Sequence, residues 1–257
     1  LGRTGELFVI DADAPLVQFD EIDSTNAEAA RRAATGDFGP YWLLARTQSA
    51  GRGRRGRSWT SEPGNLFVTY LGATSLGLPR IAQLGFAAAL AVGEVIDSIA
   101  GEGTAQLKWP NDVLIAGAKT CGILPESGAI GDGRHWFALG IGVNIASAPE
   151  AGAYKTTCLN NAAGRDLEVG GVFGLLRWRL QHWAQRLEQD GFSTLRSTWL
   201  AHAFGVGALA QAQSGGGAIT GRFESLDPEG ALLLRMDDGA LRAISAGEVF
   251  FPTTQAD

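Results

Sequence analysis

The sequence predicts an α+β fold in which a mixed sheet carries flanking helices and a small all-β unit follows. Three observations support it. Strand-length apolar runs alternate irregularly with helical segments up to about residue 204. One long segment is apolar nearly all round and a second carries an apolar stripe at three- and four-residue steps. Beyond residue 204 the chain changes to short alternating runs divided by Gly- and Asp-rich turns. At 257 residues and 45% hydrophobic content it can bury a core, and the shift divides it into a larger unit, 1–204, and a smaller one, 205–257.

Taken in order, residues 1–10 carry Arg3 and Glu6 and lack the apolar run of a signal peptide. Ser24, Thr25 and Asn26 open an alanine-rich helix that stops at Gly36, with Thr25 and Glu28 spaced as a capping box. Residues 42–45 and 66–71 read as strands. The segment between them is crowded with Gly, Arg, Ser and Pro, so it predicts a long, exposed and mobile loop without secondary structure of its own. Residues 79–99 form a buried helix whose most apolar part, 84–92, is shorter than the roughly 20 residues that span a bilayer. Strands follow at 105–109, 113–115, 120–124 and 135–145. Phe173, Leu176, Leu180, Trp183 and Leu187 then mark an amphipathic helix that covers the sheet. In the tail, residues 214–217, Asp227-Pro228-Glu229-Gly230 and Asp237-Asp238-Gly239 supply the turns.

A net charge of −6 excludes a broad positive field for nucleic acid or an anionic membrane, so any cationic site is local. Two cysteines, Cys121 and Cys158, without metal-site spacing point to a reduced, cytoplasmic protein. The local cationic site is plain. Arg52, Arg54, Arg55 and Arg57 fall within six residues, separated by Gly53 and Gly56, and are followed by Trp59. Such crowding of like charge is offset when an anion binds, and glycines let backbone N–H groups approach it. A solvated basic loop and an Arg/Gly nucleic-acid patch are the competing readings. Gly51 to Gly56 also spells G-x-G-x-x-G, but Pro63 and Gly64 follow instead of a helix, which removes the dinucleotide-binding reading. A second constellation, Lys108-Trp109-Pro110-Asn111-Asp112 followed by Lys119, brackets a hairpin with two lysines and a carboxylate. It is either an ordinary turn or a site where Lys119 offsets a carboxylate or phosphate and Asp112 binds Mg²⁺. His135, His182 and His202 lie outside every motif.

Ser24-Thr25-Asn26, the Gly51 to Arg57 loop with Trp59, Lys108 to Asp112, Lys119 with Gly122-Ile123-Leu124, and Gly140 to Asn144 stand in the order and spacing of the biotin protein ligases, which the chain resembles over nearly its whole length. The resemblance implies a core like that of class II aminoacyl-tRNA synthetases with a C-terminal SH3-like barrel. It implies biotin and ATP as substrates with Mg²⁺, an acyl-adenylate, and a biotin carboxyl carrier domain as acceptor. It places Ser24, Thr25, Asn26, Gln48, Gly122 and Leu124 at biotin. Arg52, Gly53, Arg54 and Lys119 fall at its carboxylate and the phosphate, with Arg55 and Asn111 beside the nucleotide. Trp59 and Asn144 fall at adenine, and Lys108 and Asp112 at the triphosphate and magnesium. Two departures stand out: Pro125 is expected to interrupt the strand after Leu124, and Thr69, in place of a smaller hydroxyl residue, is expected to change little. Ser24 comes too early for the N-terminal DNA-binding domain of some members, so a monofunctional enzyme is expected. A lipoate or octanoate ligase on the same core is the rival enzyme, an Arg-loop nucleic-acid module is the rival of another class, and a homodimer is left open.

The chemistry agrees with the resemblance. A carboxylate is a poor acyl donor, and adenylation gives it a leaving group with no need for a nucleophilic serine or cysteine. Arg54, Lys119 and Mg²⁺ would stabilise the crowded anionic phosphorus centre.

Overall fold

A computed structural model describes residues 10–150, 155–214 and 217–251. Most of the N-terminal segment read above, and the turn after Ser214, therefore lie outside the described residues. The first sheet has seven strands in the order β1-β2-β3-β7-β6-β5-β4. These are β1 (Leu16–Ile22), β2 (Tyr41–Gln48), β3 (Leu66–Thr74), β4 (Ala105–Lys108), β5 (Asp112–Ile115), β6 (Ala118–Gly131) and β7 (Arg134–Val143). Only β1 and β2 pair in parallel, and helix α1 (Thr25–Ala34) makes their crossover. The other pairs are antiparallel.

Alternation of side chains divides this sheet into two faces. On one, Leu139, Ile141 and Val143 of β7 and Cys121 and Ile123 of β6 meet helix α2 (Leu78–Ala100) in the main core. A short helix α3 (Leu159–Ala163) precedes α4 (Val169–Gln189), whose buried stripe Val172, Phe173, Leu176, Leu180, Trp183 and Leu187 matches the predicted periodicity. The Phe173 ring meets Trp42 of β2 edge-on at 5.3 Å, so α4 covers the sheet as expected. Helix α2 begins with Pro in its first turn, is followed by Gly101, and is 23 residues long. That exceeds the apolar stretch read from sequence and is long and apolar enough to cross a membrane, but it is largely buried inside the protein. It is the core helix.

On the other face α1 packs, through Ala29 against Leu43, Leu71 and Ala138, and it is the one helix among the described residues whose buried side chains join that cluster. The rest of that face is left for a cleft. The capping expectation needs correction: Ser24, in extended conformation, is the N-cap and accepts from Ala27 N, while Thr25 is the first helical residue. Glu28 pairs with Arg31 and Arg32 instead of reaching back to the helix start.

Pro125 also departs from expectation. Strand β6 runs through it in register, Pro125 opposite Leu139. Ile123 N bonds Asn111 O on the β5 side, so the position two residues on faces that side too, where β5 has ended. Pro125 therefore lacks its N–H where the ladder needs none.

After α5 (Gly191–Ala201) come β8 (Leu209–Ser214), β9 (Gly217–Leu226), β10 (Leu232–Arg235), β11 (Leu241–Ile244) and β12 (Glu248–Phe250), an antiparallel sheet ordered β11-β10-β9-β8-β12. The predicted turns at Gly230 and Gly239 have φ of 95° and 82°, which favours glycine. This sheet is joined to the first unit by Trp109 Nε1 donating to Gly230 O at 3.0 Å.

Candidate active site

A cleft of about 450 Å³ opens on the free face of the first sheet, within the roughly 300–1,000 Å³ of small-molecule sites. Ser24, Thr25, Asn26, Gln48, Arg52, Gly53, Arg54, Trp59, Asn111, Lys119, Gly122, Leu124 and Asn144 line it. Arg55, Lys108 and Asp112 line a smaller adjoining pocket that shares Arg54, Asn111 and Lys119 with the first. The fold thus gathers all the sequence-predicted site residues. None of the three histidines lines either cavity.

One end is neutral and hydrogen-bonded. Gln48 Oε1 accepts from Thr25 N at 2.9 Å, and its Nε2 donates to Ser61 Oγ at 2.9 Å, tying the start of α1 to the end of the Arg/Gly loop. Asn26 Nδ2 donates to Leu124 O at 3.1 Å and to Glu126 Oε2 at 2.7 Å. That leaves Asn26 Oδ1 to accept from Thr69 Oγ1 at 2.6 Å, and Thr69 Oγ1 also lies 2.8 Å from Thr25 Oγ1. Thr69 is fully buried and belongs to the site's support, contrary to the small role expected of it. Glycine at 140 is required here, because a Cβ would stand 2.0 Å from Asn26 Oδ1.

The middle is built on Trp59. Its ring lies against Gly122 and Gly142, where added Cβ atoms would come within 2.8 and 2.7 Å of it. Lys119 Nζ lies 5.4 Å from the ring centroid. Trp59 Nε1 is a buried donor and Asn144 Oδ1 a buried acceptor, each without a hydrogen-bond partner among the described residues. Buried polar atoms are nearly always paired, so an unpaired donor and acceptor in one cleft suit the edge of a polar ligand.

The other end is cationic. Lys119 Nζ pairs with Asp112 Oδ1 at 2.6 Å, and Asp112 stands opposite Lys108 in the β4–β5 hairpin. Arg54 donates to Asn111 Oδ1 at 3.3 Å. Burial, opposed by Asp112, lowers the pKa of both Arg54 and Lys108. An anion arriving here would offset that cost.

The Arg/Gly loop has more structure than its composition predicts. Arg52 and Ser58 form a β-bridge, Gly53 N bonds Arg57 O at 2.7 Å, and Arg54–Gly56 makes a 3-10 turn with Arg55 at φ 57°. Its outer arginines are tethered by carboxylates, Arg52 to Glu126 at 2.6 Å and Arg57 to Glu248 of β12. Glu126 and Glu248 were missed from sequence. Glu126 lies two residues beyond Leu124 on the same strand face, a period-two signal that was available, whereas Glu248 arrives from the second sheet without any local signal.

A profile of the Biotin/lipoate A/B protein ligase family matches residues 22–144, and one of the Biotin protein ligase C terminal domain matches residues 211–251. The chain is 41% identical over 235 residues to a biotin–[acetyl-CoA-carboxylase] ligase of Paracoccus denitrificans, covering 89% of this chain and 97% of that protein. The chain belongs to the biotin protein ligase family. It is also 32% identical to the bifunctional ligase/repressor BirA of Bacillus subtilis, covering 90% of this chain and 72% of that one. Among solved structures, the biotin protein ligase of Aquifex aeolicus in complex with biotin and ATP superposes with a TM-score of 0.77 at 25% identity, covering 93% of this chain and 99% of that one. The mixed sheet with flanking helices and the antiparallel C-terminal sheet are the biotin ligase architecture, as the sequence predicted.

Proposed function

We propose that this biotin ligase joins biotin to ATP as biotinyl-adenylate, releases pyrophosphate, and then transfers the biotinyl group to one lysine of a carboxylase carrier domain. The observation that carries the reading is the polarity of the cleft and its adjoining pocket, neutral and hydrogen-bonded at Ser24 to Asn26 and cationic at Arg54, Lys119 and, in the adjoining pocket, Lys108. A biotin carboxylate set between the two ends meets the α-phosphate. One of its oxygens attacks phosphorus, the bond from phosphorus to the bridging oxygen breaks, and pyrophosphate departs. Lys119 and Arg54 stand where charge develops, each such contact being worth about 2–4 kcal/mol in the transition state. In the second step the acceptor amine attacks the acyl carbon and AMP leaves with the electron pair.

In this reading Ser24, Thr25, Asn26, Gln48, Gly122 and Leu124 hold biotin, and Arg52 and Gly53 close over its carboxylate. Trp59 and Asn144 meet adenine, whose ring offers both acceptors and an amino donor to their unpaired atoms. Lys108, Arg55 and Asn111 take the remaining phosphates. Asp112 fits a magnesium ligand: its Oδ1 is buried with a lysine counter-ion but no hydrogen bond among the described residues, and magnesium is commonly held by one or two carboxylates plus substrate phosphates. Bound there, the ion would neutralise the leaving pyrophosphate.

The proposed division places catalysis in residues 1–204 and a C-terminal domain in 205–257, the latter supported by the profile match at 211–251. A cytoplasmic location is proposed as well, a reading supported by an acidic chain with two free, buried cysteines. Calorimetry with biotin, lipoate and ATP tests the substrate class. Biotin binding with no lipoate binding is expected, because the pocket end built of Ser24, Thr25, Asn26 and Gln48 is polar and suits a ureido ring better than an aliphatic chain; preference for lipoate would overturn the reading.

A further inference from the structure

The mechanism above gives no role to a carboxylate that lies beside the cleft, in a pocket under the Arg/Gly loop. Glu126 sits on β6, part-buried, and its two carboxylate oxygens are divided between two elements. Oε2 accepts from Asn26 Nδ2 at 2.7 Å and Oε1 from Arg52 at 2.6 Å. Through Asn26 the contact continues to Thr69 at 2.6 Å and from Thr69 to Thr25 at 2.8 Å. A single hydrogen-bonded chain therefore runs from the neutral floor of the cleft to the first arginine of the Arg/Gly loop.

We infer that Glu126 is a positioning residue that clasps the Arg/Gly loop to the biotin end of the cleft, so that the fit of biotin and the closure of the loop are one event. This rests on the biotin ligase reading of the site. The physical case has two parts. An asparagine amide can present either end to a ligand, and the carboxylate of Glu126, an acceptor only, fixes the Nδ2 end of Asn26 toward itself and Oδ1 toward Thr69. The loop also carries four like charges, and the Glu126 carboxylate neutralises the first of them where the chain enters it. Loss of the carboxylate weakens both at once: Asn26 Nδ2 keeps only Leu124 O as acceptor, and the loop loses its anchor at Arg52.

The test compares wild type, Glu126→Gln, Glu126→Asp, Arg52→Met and the Glu126→Gln/Arg52→Met double variant. Measurements are biotin affinity by calorimetry, KM for ATP, release of the acyl-adenylate and melting temperature. Charge-assisted hydrogen bonds are about twice as strong as neutral ones. Glu126→Gln is accordingly expected to weaken biotin binding and speed adenylate release about tenfold, while KM for ATP stays within about twofold. Glu126→Asp, which keeps the charge, recovers part of both. In the double variant the two losses overlap instead of multiplying, as expected for coupled partners. Unchanged biotin affinity and adenylate release in Glu126→Gln would overturn the role of Glu126. So would equal losses for biotin and ATP together with a lower melting temperature, which describe a scaffold residue. Failure of the wild type itself to bind biotin would instead overturn the functional reading on which the inference rests.

Discussion

Replacing Lys119 by alanine separates catalysis from folding. Lys119 Nζ stands 2.6 Å from Asp112 Oδ1 and 5.4 Å from the Trp59 ring centroid, in the pocket shared by the two cavities. If it meets developing charge on the phosphorus centre, its loss removes about 2–4 kcal/mol of transition-state stabilisation. At about 1.4 kcal/mol per tenfold in rate, that is roughly a 30- to 1,000-fold slower adenylation. The folding cost is smaller. Asp112 loses its nearest counter-ion, but Arg54 and Lys108 remain electrostatically coupled to it, and both pair members keep some solvent contact. A loss of about 1 kcal/mol is expected, which lowers the melting temperature of a chain this size by roughly 2–4 °C. Single-turnover pyrophosphate release with saturating biotin and ATP measures the first quantity and thermal unfolding the second. An adenylation rate within threefold of wild type would remove Lys119 from the chemistry. A slow rate accompanied by collapse of the melting transition would make the effect structural.

Other substitutions address separate parts of the cleft. Gly142→Ala sets a Cβ 2.7 Å from the Trp59 ring, so the indole must move, and overpacking of this kind costs about 1–3 kcal/mol. ATP affinity should fall more than biotin affinity, and equal falls would detach Trp59 from the nucleotide. Thr69→Val keeps the shape but leaves buried Asn26 Oδ1 unpaired, at a cost of about 1–3 kcal/mol. Biotin binding measured by calorimetry should weaken, and an unchanged affinity would show that the Thr69 contact does not shape the pocket. Arg54→Gly should slow adenylate synthesis by a margin like that of Lys119→Ala and, in addition, release the intermediate, seen as biotinylation of bystander lysines at matched adenylate production. Equal bystander labelling by wild type would show that Arg54 does not hold it.

Much of this site was legible because it sits on regular strands. The two-residue period that carries Gly122 and Leu124 to the cleft is plain in the sequence, and the same period places Gly140 and Gly142 on β7 and Asn144 just past its end, all lining the cleft. Continuing that step by one residue pair reaches Glu126. What composition concealed was interaction at a distance. An Arg/Gly segment reads as a free loop until Glu126 and Glu248, on strands far along the chain, are brought beside Arg52 and Arg57. Thr69 looked exchangeable because its value lies in two partners on α1, more than forty residues away. Pro125 looked disruptive because the end of its neighbour β5 is set by the sheet and not by the local sequence. The Ser24 cap was displaced by one residue in the reading because Ser24 and Thr25 both offer a hydroxyl, and only backbone geometry distinguishes the cap from the first helical residue.

The most direct test of the account is to incubate the protein with biotin and Mg-ATP, with no acceptor present, and to follow pyrophosphate and the protein-bound product together. The neutral and cationic ends of one cleft, with no covalent nucleophile assigned between them, predict about one pyrophosphate released per functional site in a first turnover, matched by non-covalently held biotinyl-adenylate. Pyrophosphate release that strictly required the carrier domain, or biotin recovered in a covalent bond to the enzyme as an obligatory intermediate, would contradict it.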